Sequence, residues 1–313
     1  MAEQKNCTPC AFKTSVGGQA LMEGIMMRGP KKLALAIRQP DGEIYTEVSD
    51  VVTHRWQKWP FIRGVFSFVD SMVNGYRCLM KSAEISMGEE LEPESKFDKW
   101  IDAKFGDKGT NAIMAVAAVL GGGLALVLFM VLPTAIVGLI NHFAPLGGFK
   151  TLVEGALKIA ILIGYMAAVS KLPDIARMFS YHGAEHKTIA CYEAGDALTV
   201  ENVRRHRRFH PRCGTSFILI ILVVSILLFS MLPWTNTGIR VVLKVLLLPL
   251  VMGISYEILK LCGRYDNWLT RIISAPGMWL QHITTNEPDD SMIECAIAAV
   301  QPVLPEKKEE SAW

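Results

Sequence analysis

Charged residues are scarce in this chain, and one long stretch has none at all. They make up 20% of the 313 residues, whereas apolar and aromatic residues make up 51%. Residues 112–140 contain no charged side chain, and this run exceeds the roughly 20 apolar residues that cross a bilayer as a helix. The absence of charge there excludes a purely water-soluble class and predicts a membrane protein.

Two further absences narrow the class. The first thirty residues contain no secretory signal peptide, because Glu23 and Arg28 interrupt the only apolar stretch. The seven cysteines follow no regular spacing, which argues against a disulfide framework. Cys7 and Cys10 have C-x-x-C spacing, and an exposed pair, half of a zinc site and a redox pair all remain open for them.

Three more apolar stretches bring the predicted number of spans to four. Residues 215–234 are also free of charge. Residues 155–170 carry Lys158, and residues 239–261 carry charged side chains only near their two ends. The loop between the second and third spans holds eight basic residues: Lys171, Arg177, Lys187, Arg204, Arg205, Arg207, Arg208 and Arg212. Because cytoplasmic loops retain Lys and Arg, this loop and both termini are expected in the cytoplasm.

The predicted fold is a mainly α-helical membrane protein with about four transmembrane helices. A small α+β cytoplasmic amino-terminal region precedes them, and a His-rich helical loop lies between the second and third. The predicted segments are a disordered terminus (1–16), a cytoplasmic region with a Gly-rich motif, a β-hairpin and an amphipathic helix (17–110), spans one and two (111–171), the His-rich loop (172–214), spans three and four (215–261), cytoplasmic helices (262–303) and a tail (304–313).

Local signals support three of these elements. The turn residues Pro40, Asp41 and Gly42 predict a hairpin within residues 31–50. Apolar residues at helical spacing after Pro60 predict an amphipathic helix, either in the core of the cytoplasmic domain or on the membrane surface. Residues 266–300 suggest two short helices, the first broken at Pro276 and the second starting around residues 288–290.

A cluster of ionisable residues lies in "YHGAEHKTIACYEAG", residues 181–195. Good helix formers from Pro173 onward and Gly195 as a carboxyl-terminal cap predict one helix. His182 and His186 then share a face at i and i+4, so both can reach one metal ion. Glu185 completes H-x-x-E-H, the reversed zinc-peptidase motif, as a base for a water molecule at the metal.

Further ligands have to come from outside this motif. Glu193 lies ~16 Å along the helix from His182, so it is expected to orient a ligand or bind substrate. Thr199 is a predicted cap for a second short helix on which His206 and His210 are again spaced i, i+4. Cys213 follows closely. Three nitrogen ligands would fit a catalytic zinc site and four protein ligands a structural one, whereas His206 could instead belong to a solvated basic surface.

The basic loop and one acidic residue suggest partners. The arginines of the loop are expected to contact anionic lipid head groups, with a phosphate-bearing substrate or RNA as the weaker alternative. These are Arg204, Arg205, Arg207, Arg208 and Arg212. Glu257 lies about one turn from the cytoplasmic end of the fourth span, where it could reach the His-rich loop.

Four ordered motifs resemble a known family. They are "GGQALMEGIMMRGP" (17–30), "YHGAEHKTIACYEAG" (181–195), "HPRCGTSF" (210–217) and "PGMWLQHITTNEPDD" (276–290). Together they resemble the YqhQ-like family of bacterial multi-pass membrane proteins, a domain-of-unknown-function family described as predicted metal-dependent enzymes. The resemblance covers residues 17–300. It implies a bacterial plasma membrane location and marks metal-site candidates, namely His182, Glu185, His186, His210 and Cys213.

The resemblance also directs attention to Gln19 and Glu23. A buried Glu23 carboxylate would need a cation, either the metal or an arginine, although a Gly-rich loop packing under the sheet is an equal interpretation.

Two hypotheses follow for function. The first is a membrane-bound hydrolase with a cytoplasm-facing zinc site that acts on a lipid-linked substrate. His182, His186 and His210 would bind zinc, Glu185 would move the proton, and Cys213 or His206 would be a fourth or supporting group. The alternative is a non-enzymatic scaffold with a structural zinc site and a basic loop that recruits a protein or lipid partner.

Overall fold

The computed structural model describes residues 12–51, 59–60, 62–87, 116, 119–233, 236–265 and 267–305. These residues are mainly helical and include a small sheet near the amino terminus. They belong to two compact units. The first comprises Met1–Ser86, Tyr165–Val224 and Pro249–Trp313, and the second comprises Met87–Gly164 and Ser225–Leu248.

The elements follow one another in this order. The strands are β1 (Gly17–Leu21), β2 (Gly24–Arg28), β3 (Lys32–Arg38) and β4 (Ile44–Asp50). The helices are α1 (Ile62–Met87), α2 (Val119–Phe143, with a π-helical turn at Val127–Val131), α3 (Lys150–Val169), α4 (Pro173–Ala194), α5 (Val200–Arg205), α6 (Gly214–Ser230), α7 (Thr237–Arg264), α8 (Trp268–Thr284) and α9 (Asp290–Val300). Single 3₁₀ turns lie at Gly147–Phe149 and Gln301–Val303.

The sheet is an antiparallel meander in the order β1-β2-β3-β4. The predicted hairpin is β3–β4, with Gly42 at a positive φ of 89° in its turn. The Gly-rich motif, interpreted from sequence as a loop, instead forms the hairpin β1–β2. A Cβ at Gly24 would lie 2.6 Å from the Ala36 carbonyl oxygen of the neighbouring strand. Glycine thus permits close strand approach here, although it weakens the sequence signal for a strand.

Both faces of the sheet are covered. One face joins α4 and α9 in a hydrophobic core that includes Ile25, Met27, Ala184 and Ile293. The other face packs Leu21, Met26, Leu35 and Ile37 against Cys78 of α1. The sheet therefore separates α1 from α4 and α9, and α4 lies at the centre of the first unit.

The segment before β1 is held against α4. The Thr14 backbone N–H donates to Glu193 (2.7 Å), and Val16 is buried in the core with the sheet. Both residues fall within the terminus that was predicted to be disordered, yet both are buried. Cys7 and Cys10 lie outside the described residues, as does most of the predicted tail.

Within the described ranges, three helices are long and apolar enough to cross a membrane. They are Val119–Phe143, Gly147–Val169 and Gly238–Arg264. The remaining predicted span corresponds to α6, an apolar helix of 17 residues. At ~1.5 Å per residue, α6 is about 25 Å long, shorter than the ~30 Å hydrocarbon core of a bilayer.

The carboxyl-terminal helices differ from the prediction at Pro276, which lies inside an uninterrupted α8. Pro276 removes one backbone hydrogen bond, but α8 is anchored on both sides of it. A capping box at Asn267 secures the start of α8, and Gln281 makes hydrogen bonds near its end. Helix α9 begins as predicted among acidic residues, with the Asp289 side chain accepting from the Met292 N–H.

The second unit contains a buried ionic cluster built on one carboxylate. Glu154 contacts Lys158 (3.1 Å), Lys244 and Arg240 (3.5 Å). The Thr134 hydroxyl also donates to Glu154 (2.9 Å). All three basic side chains are at most 5% exposed. One buried carboxylate therefore forms ion pairs with three buried basic side chains.

We expect Glu154→Ala to destabilise the protein strongly, because it leaves three buried basic groups without their shared carboxylate. Removing one partner of a buried ion pair costs about 3–5 kcal/mol. Lys158→Met is the matched control, since it removes one surplus basic group and leaves Glu154 with two others. Thermal unfolding in mild detergent checks the order. Equal melting temperatures for the two variants would contradict it.

Candidate metal centre

Helix α4 carries its polar residues into the protein interior. It begins at Pro173, which suits the first turn of a helix, and ends at Gly195 with φ 81°. Residues 183–189 are all buried. At Gly183 an added Cβ would lie 2.0 Å from the Asn286 carbonyl oxygen. The segment after α8 therefore crosses α4 directly beside the H-x-x-E-H motif.

Two backbone carbonyl groups orient the histidines of this motif. His182 Nδ1 lies 2.9 Å from the Thr284 oxygen, and His186 Nδ1 lies 2.5 Å from the Arg208 oxygen. Because a carbonyl oxygen only accepts, each Nδ1 has to carry a proton and donate it. When a ring is neutral, this assignment leaves its Nε2 with a lone pair for a metal ion, the arrangement that supporting hydrogen bonds give to metal ligands.

Cys213 supplies the third donor atom. Its Sγ lies 3.1 Å from His182 Nε2, and one ligand atom from each of His182, His186 and Cys213 lies within 4.8 Å of the others. Burial by itself would raise the pKa of the Cys213 thiol, but the two imidazoles outweigh burial and hold the pKa well below its usual value. Cys213 also directly precedes α6, and a helix amino terminus favours a thiolate.

The same contact raises the basicity of His182. Burial by itself would lower the pKa of this imidazole, yet the charge and hydrogen bond of Cys213 prevail and raise the pKa to about 9. In the metal-free protein a thiolate and an imidazolium are therefore favoured over a neutral thiol and imidazole. Metal binding would release that proton.

Glu185 lies beside the three donors and is tied to the sheet. Its Oε1 accepts a hydrogen bond from the Gly18 backbone N–H of β1 (2.9 Å), and the residue is 5% exposed. Burial raises the pKa of Glu185, and the nearby histidines offset only part of this effect. A carboxyl group with a raised pKa is suited to accept and return a proton near neutral pH.

His210 was expected to be the third nitrogen ligand, but the structure turns it elsewhere. Its Nε2 lies 3.3 Å from Arg212 Nη2 and 3.6 Å from Glu193 Oε2. Burial lowers the pKa of His210, although the Glu193 carboxylate opposes this effect. Glu193 contacts His210 and Arg212, both of which lie outside the group of converging donors. Cys213 replaces His210 in the group of converging donors because Glu193 holds the His210 ring.

His206 is also placed differently from the prediction. The Thr199 cap forms as expected, accepting from the Asn202 N–H (3.3 Å), but the helix ends at Arg205. His206 is extended and therefore does not share a helical face with His210. Its Nε2 lies 2.9 Å from Asp196 Oδ2, and these two side chains form a second group with Cys191 whose ligand atoms lie within 4.8 Å of one another.

Four of the loop arginines form ion pairs with acidic side chains. Arg204 pairs with Asp290, Arg205 with Glu201, Arg208 with Glu287 and Arg212 with Glu193. Arg207 is exposed. The Arg212 side chain is only 5% exposed, which is incompatible with the expected contact to lipid head groups. Arg204, Arg205 and Arg207 remain exposed, with Arg208 partly so.

The other candidate residues lie away from the three donors. Glu23 pairs with Arg177 and accepts from the Tyr181 hydroxyl (3.2 Å), so an arginine is the cation that it meets. Gln19 packs against Gly75 of α1. Glu257 pairs with Arg63 of α1 (Nε to Oε1, 2.7 Å).

Sequence reasoning missed several residues that hold the centre in place. Gln281 fixes the His210 backbone on both sides, accepting from its N–H and donating to its carbonyl oxygen (2.8 Å each). The Thr284 hydroxyl is buried and has no hydrogen-bond partner, although the Thr284 carbonyl orients His182. The motif at residues 276–290 was the available signal, but its polar residues fitted no metal-ligand pattern.

The donor set fits zinc. Imidazole nitrogen and thiolate sulfur are the ligands that zinc prefers, and catalytic sites use three protein ligands. The described residues bring together two imidazoles and one thiol, and the buried Glu185 carboxylate lies beside them. A divalent ion is therefore chemically compatible with these side chains.

Comparison with known proteins identifies the family. Residues 59–306 match the family described as "Protein of unknown function (DUF1385)". The chain is 34% identical over 302 residues to the "Uncharacterized protein YqhQ" of Bacillus subtilis (strain 168), covering 92% of each chain. The chain therefore belongs to this family, which confirms the resemblance drawn from its motifs. No solved structure matches it.

Gly183→Ala should destabilise the protein and disturb the centre, because the new Cβ would meet the Asn286 carbonyl oxygen. That oxygen cannot shift without moving the neighbouring Thr284, whose carbonyl group orients His182. Overpacking of this kind costs about 1–3 kcal/mol. Gly164→Ala is the control, since that helical glycine has nothing within 4 Å of an added Cβ. A fall in melting temperature is expected only for Gly183→Ala, and a wild-type value would show that the crossing tolerates a side chain.

Proposed function

We propose that this protein is a membrane-bound, metal-dependent hydrolase with a cytoplasm-facing zinc site. The observation that carries the proposal is the convergence of His182, His186 and Cys213 beside the buried Glu185. Three protein ligands leave a coordination position for water or substrate, which is the arrangement of catalytic zinc sites. A zinc ion bound there would supply Lewis-acid chemistry for hydrolysis at neutral pH.

The protein itself orients the metal ligands and moves the proton. Thr284 and Arg208 hold the two imidazoles through their carbonyl oxygens, so that Nε2 of each ring faces the Cys213 sulfur. Glu185 accepts a proton on its carboxylate and delivers it to the leaving group, a role that its raised pKa supports. The Gly18 N–H fixes one oxygen of Glu185 and leaves the other for proton transfer.

The membrane location rests on the apolar helices. Three candidate spans and the shorter apolar helix α6 support a multi-pass protein, and we propose that all four cross the plasma membrane. The basic residues between α3 and α6 favour a cytoplasmic centre with both termini on the same side. A substrate carried by the membrane, such as a lipid-linked molecule, fits a centre next to the end of α6.

A non-enzymatic scaffold with a structural zinc site is the second candidate. The observation that favours it is the Cys213 thiolate, because structural zinc sites commonly include cysteine. In this case the metal would join α4 to the start of α6, and the exposed arginines would recruit a partner. The two candidates differ in what they require of Glu185.

Metal analysis of purified variants tests the ligand set. We expect His182→Ala, His186→Ala and Cys213→Ser each to lose the bound metal, because each removes one of three converging donors. His210→Ala should retain it, since that ring faces Glu193 and Arg212. Elemental analysis without chelators provides the measurement. A wild-type protein without stoichiometric transition metal would refute the metalloenzyme proposal. Complete loss of metal in His210→Ala would show that His210 is a ligand.

His206→Ala serves as a control within the same loop. It should leave the metal of the main centre in place, because His206 pairs with Asp196 away from the three donors. Loss of one of two equivalents in this variant would mean that the group of Cys191, Asp196 and His206 also binds metal.

The Glu185→Gln variant distinguishes the enzyme hypothesis from the scaffold hypothesis. The amide is nearly isosteric and still accepts from the Gly18 N–H, but it cannot take up a proton in catalysis. For an enzyme we expect a folded, metal-loaded variant that fails to complement a strain lacking the protein, with a loss of about 10²–10⁴-fold in activity. Full complementation by the metal-loaded variant would exclude catalysis and leave the structural-zinc candidate.

A further inference from the structure

Helix α8 has its large apolar side chains on the outside. Trp268, Leu269, Ile272 and Trp279 are 49–74% exposed. Its buried residues are mostly small or polar: Thr270, Ser274, Gly277, Leu280, Gln281 and Thr284. A helix on the surface of a water-soluble protein has the opposite arrangement, with the apolar stripe facing the core. The environment outside α8 is therefore expected to be apolar.

Helix α1 repeats this inversion. Eight of its large apolar side chains are exposed, each by 37–56%: Ile62, Phe66, Val69, Met72, Val73, Tyr76, Met80 and Met87. The buried positions of α1 are Gly64, Gly75, Cys78 and Ser82. Small inward residues and large outward ones are typical of helices that pack closely together within lipid. Helix α1 thus packs on the sheet through Cys78, while its exposed face favours the membrane-surface interpretation.

Both helices adjoin apolar helices of the same compact unit. A Cβ at Gly64 of α1 would lie within about 3 Å of Gly253 and Tyr256 of α7, and Arg63 pairs with Glu257. Gly277 of α8 lies directly against Ser216 of α6. The buried faces of α1 and α8 therefore pack against α7 and α6, two apolar helices that are themselves proposed to enter the bilayer.

We propose that α1 and α8 are embedded in the cytoplasmic leaflet, with their large apolar side chains among the lipids. The inference rests on the proposed membrane location and adds two helices that are not candidate spans. Trp268 and Trp279 suit this depth, because tryptophan is enriched at the boundary between head groups and acyl chains. The occupant of both faces is the lipid bilayer, rather than a second copy of the chain.

The proposal places the metal centre next to the lipid. The inward face of α8 holds His210 through Gln281 and orients His182 through the Thr284 carbonyl, whereas its outward face carries the exposed stripe. A helix with its side chains is about 10–12 Å across. On this proposal the centre lies about one helix diameter from the lipid, a short distance that favours a lipid or lipid-linked substrate.

Spin labels report the environment of the two faces directly. The full-length protein, with Cys7 and Cys10 replaced by serine, is labelled at Val69→Cys or Ile272→Cys and reconstituted in phosphatidylcholine–phosphatidylglycerol vesicles. Glu201→Cys is the matched control, because Glu201 lies on α5 of the same unit with its side chain 72% exposed. Collisions of each label with oxygen, which enters lipid, are compared with collisions with a water-soluble nickel chelate.

We expect oxygen to relax the labels at positions 69 and 272 more than nickel does, with the order reversed at position 201. Stronger relaxation by nickel at all three positions would overturn the proposal. Protection from both reagents, with dipolar broadening that unlabelled protein dilutes away, would assign the faces to a second copy and also overturn it. If the label at 272 disturbs folding, Leu269→Cys reports the same face.

The metal content of the same samples separates this inference from the proposed function. Metal-loaded protein with water-exposed labels would leave the metalloenzyme proposal standing and refute only the embedding of α1 and α8. Lipid-exposed labels on protein that never binds metal would support the embedding and refute the metal site.

Discussion

From Tyr181 to Glu193, helix α4 has no exposed residue, so its ionisable side chains there need partners inside the protein. His182 and His186 each find a backbone carbonyl oxygen, and Glu185 finds the Gly18 N–H. These partners come from the last residue of α8, from the loop before α6 and from β1. The need of these buried polar side chains for hydrogen-bond partners therefore determines where three distant parts of the chain lie.

The same requirement explains why glycine occurs where the partners approach. Gly18 lies 3.2 Å, measured from an ideal Cβ position, from the Glu185 carboxyl carbon, and Gly183 faces the Asn286 carbonyl at 2.0 Å. Any larger residue would keep the strand or the crossing segment from its hydrogen bond. The motifs that identify the family are thus not separate features, because each contributes one wall or one partner to the same centre.

Sequence reasoning found the parts of this centre that depend on local geometry. The i, i+4 spacing of His182 and His186 is a property of any helix, and the Gly195 and Thr199 caps are local as well. Local sequence does not reveal that Cys213, rather than His210, joins the converging donors. The orientation of the His210 ring depends on Glu193 of α4 and on Arg212 of the loop before α6. His206 was predicted to share a helix with His210, but α5 ends at Arg205, and no periodic signal in the sequence marks that end.

The central core also determines when the protein can finish folding. Val16 and Ile25 from the start of the chain pack with Ile293 and Val300 of α9. During synthesis the sheet is complete at Asp50, but its covering helix α9 follows roughly 250 residues later, after all three candidate spans. At 5–20 residues per second this interval is on the order of 10–50 s. The apolar sheet face that α9 covers in the folded protein therefore lacks this cover until the three long apolar helices have been synthesised.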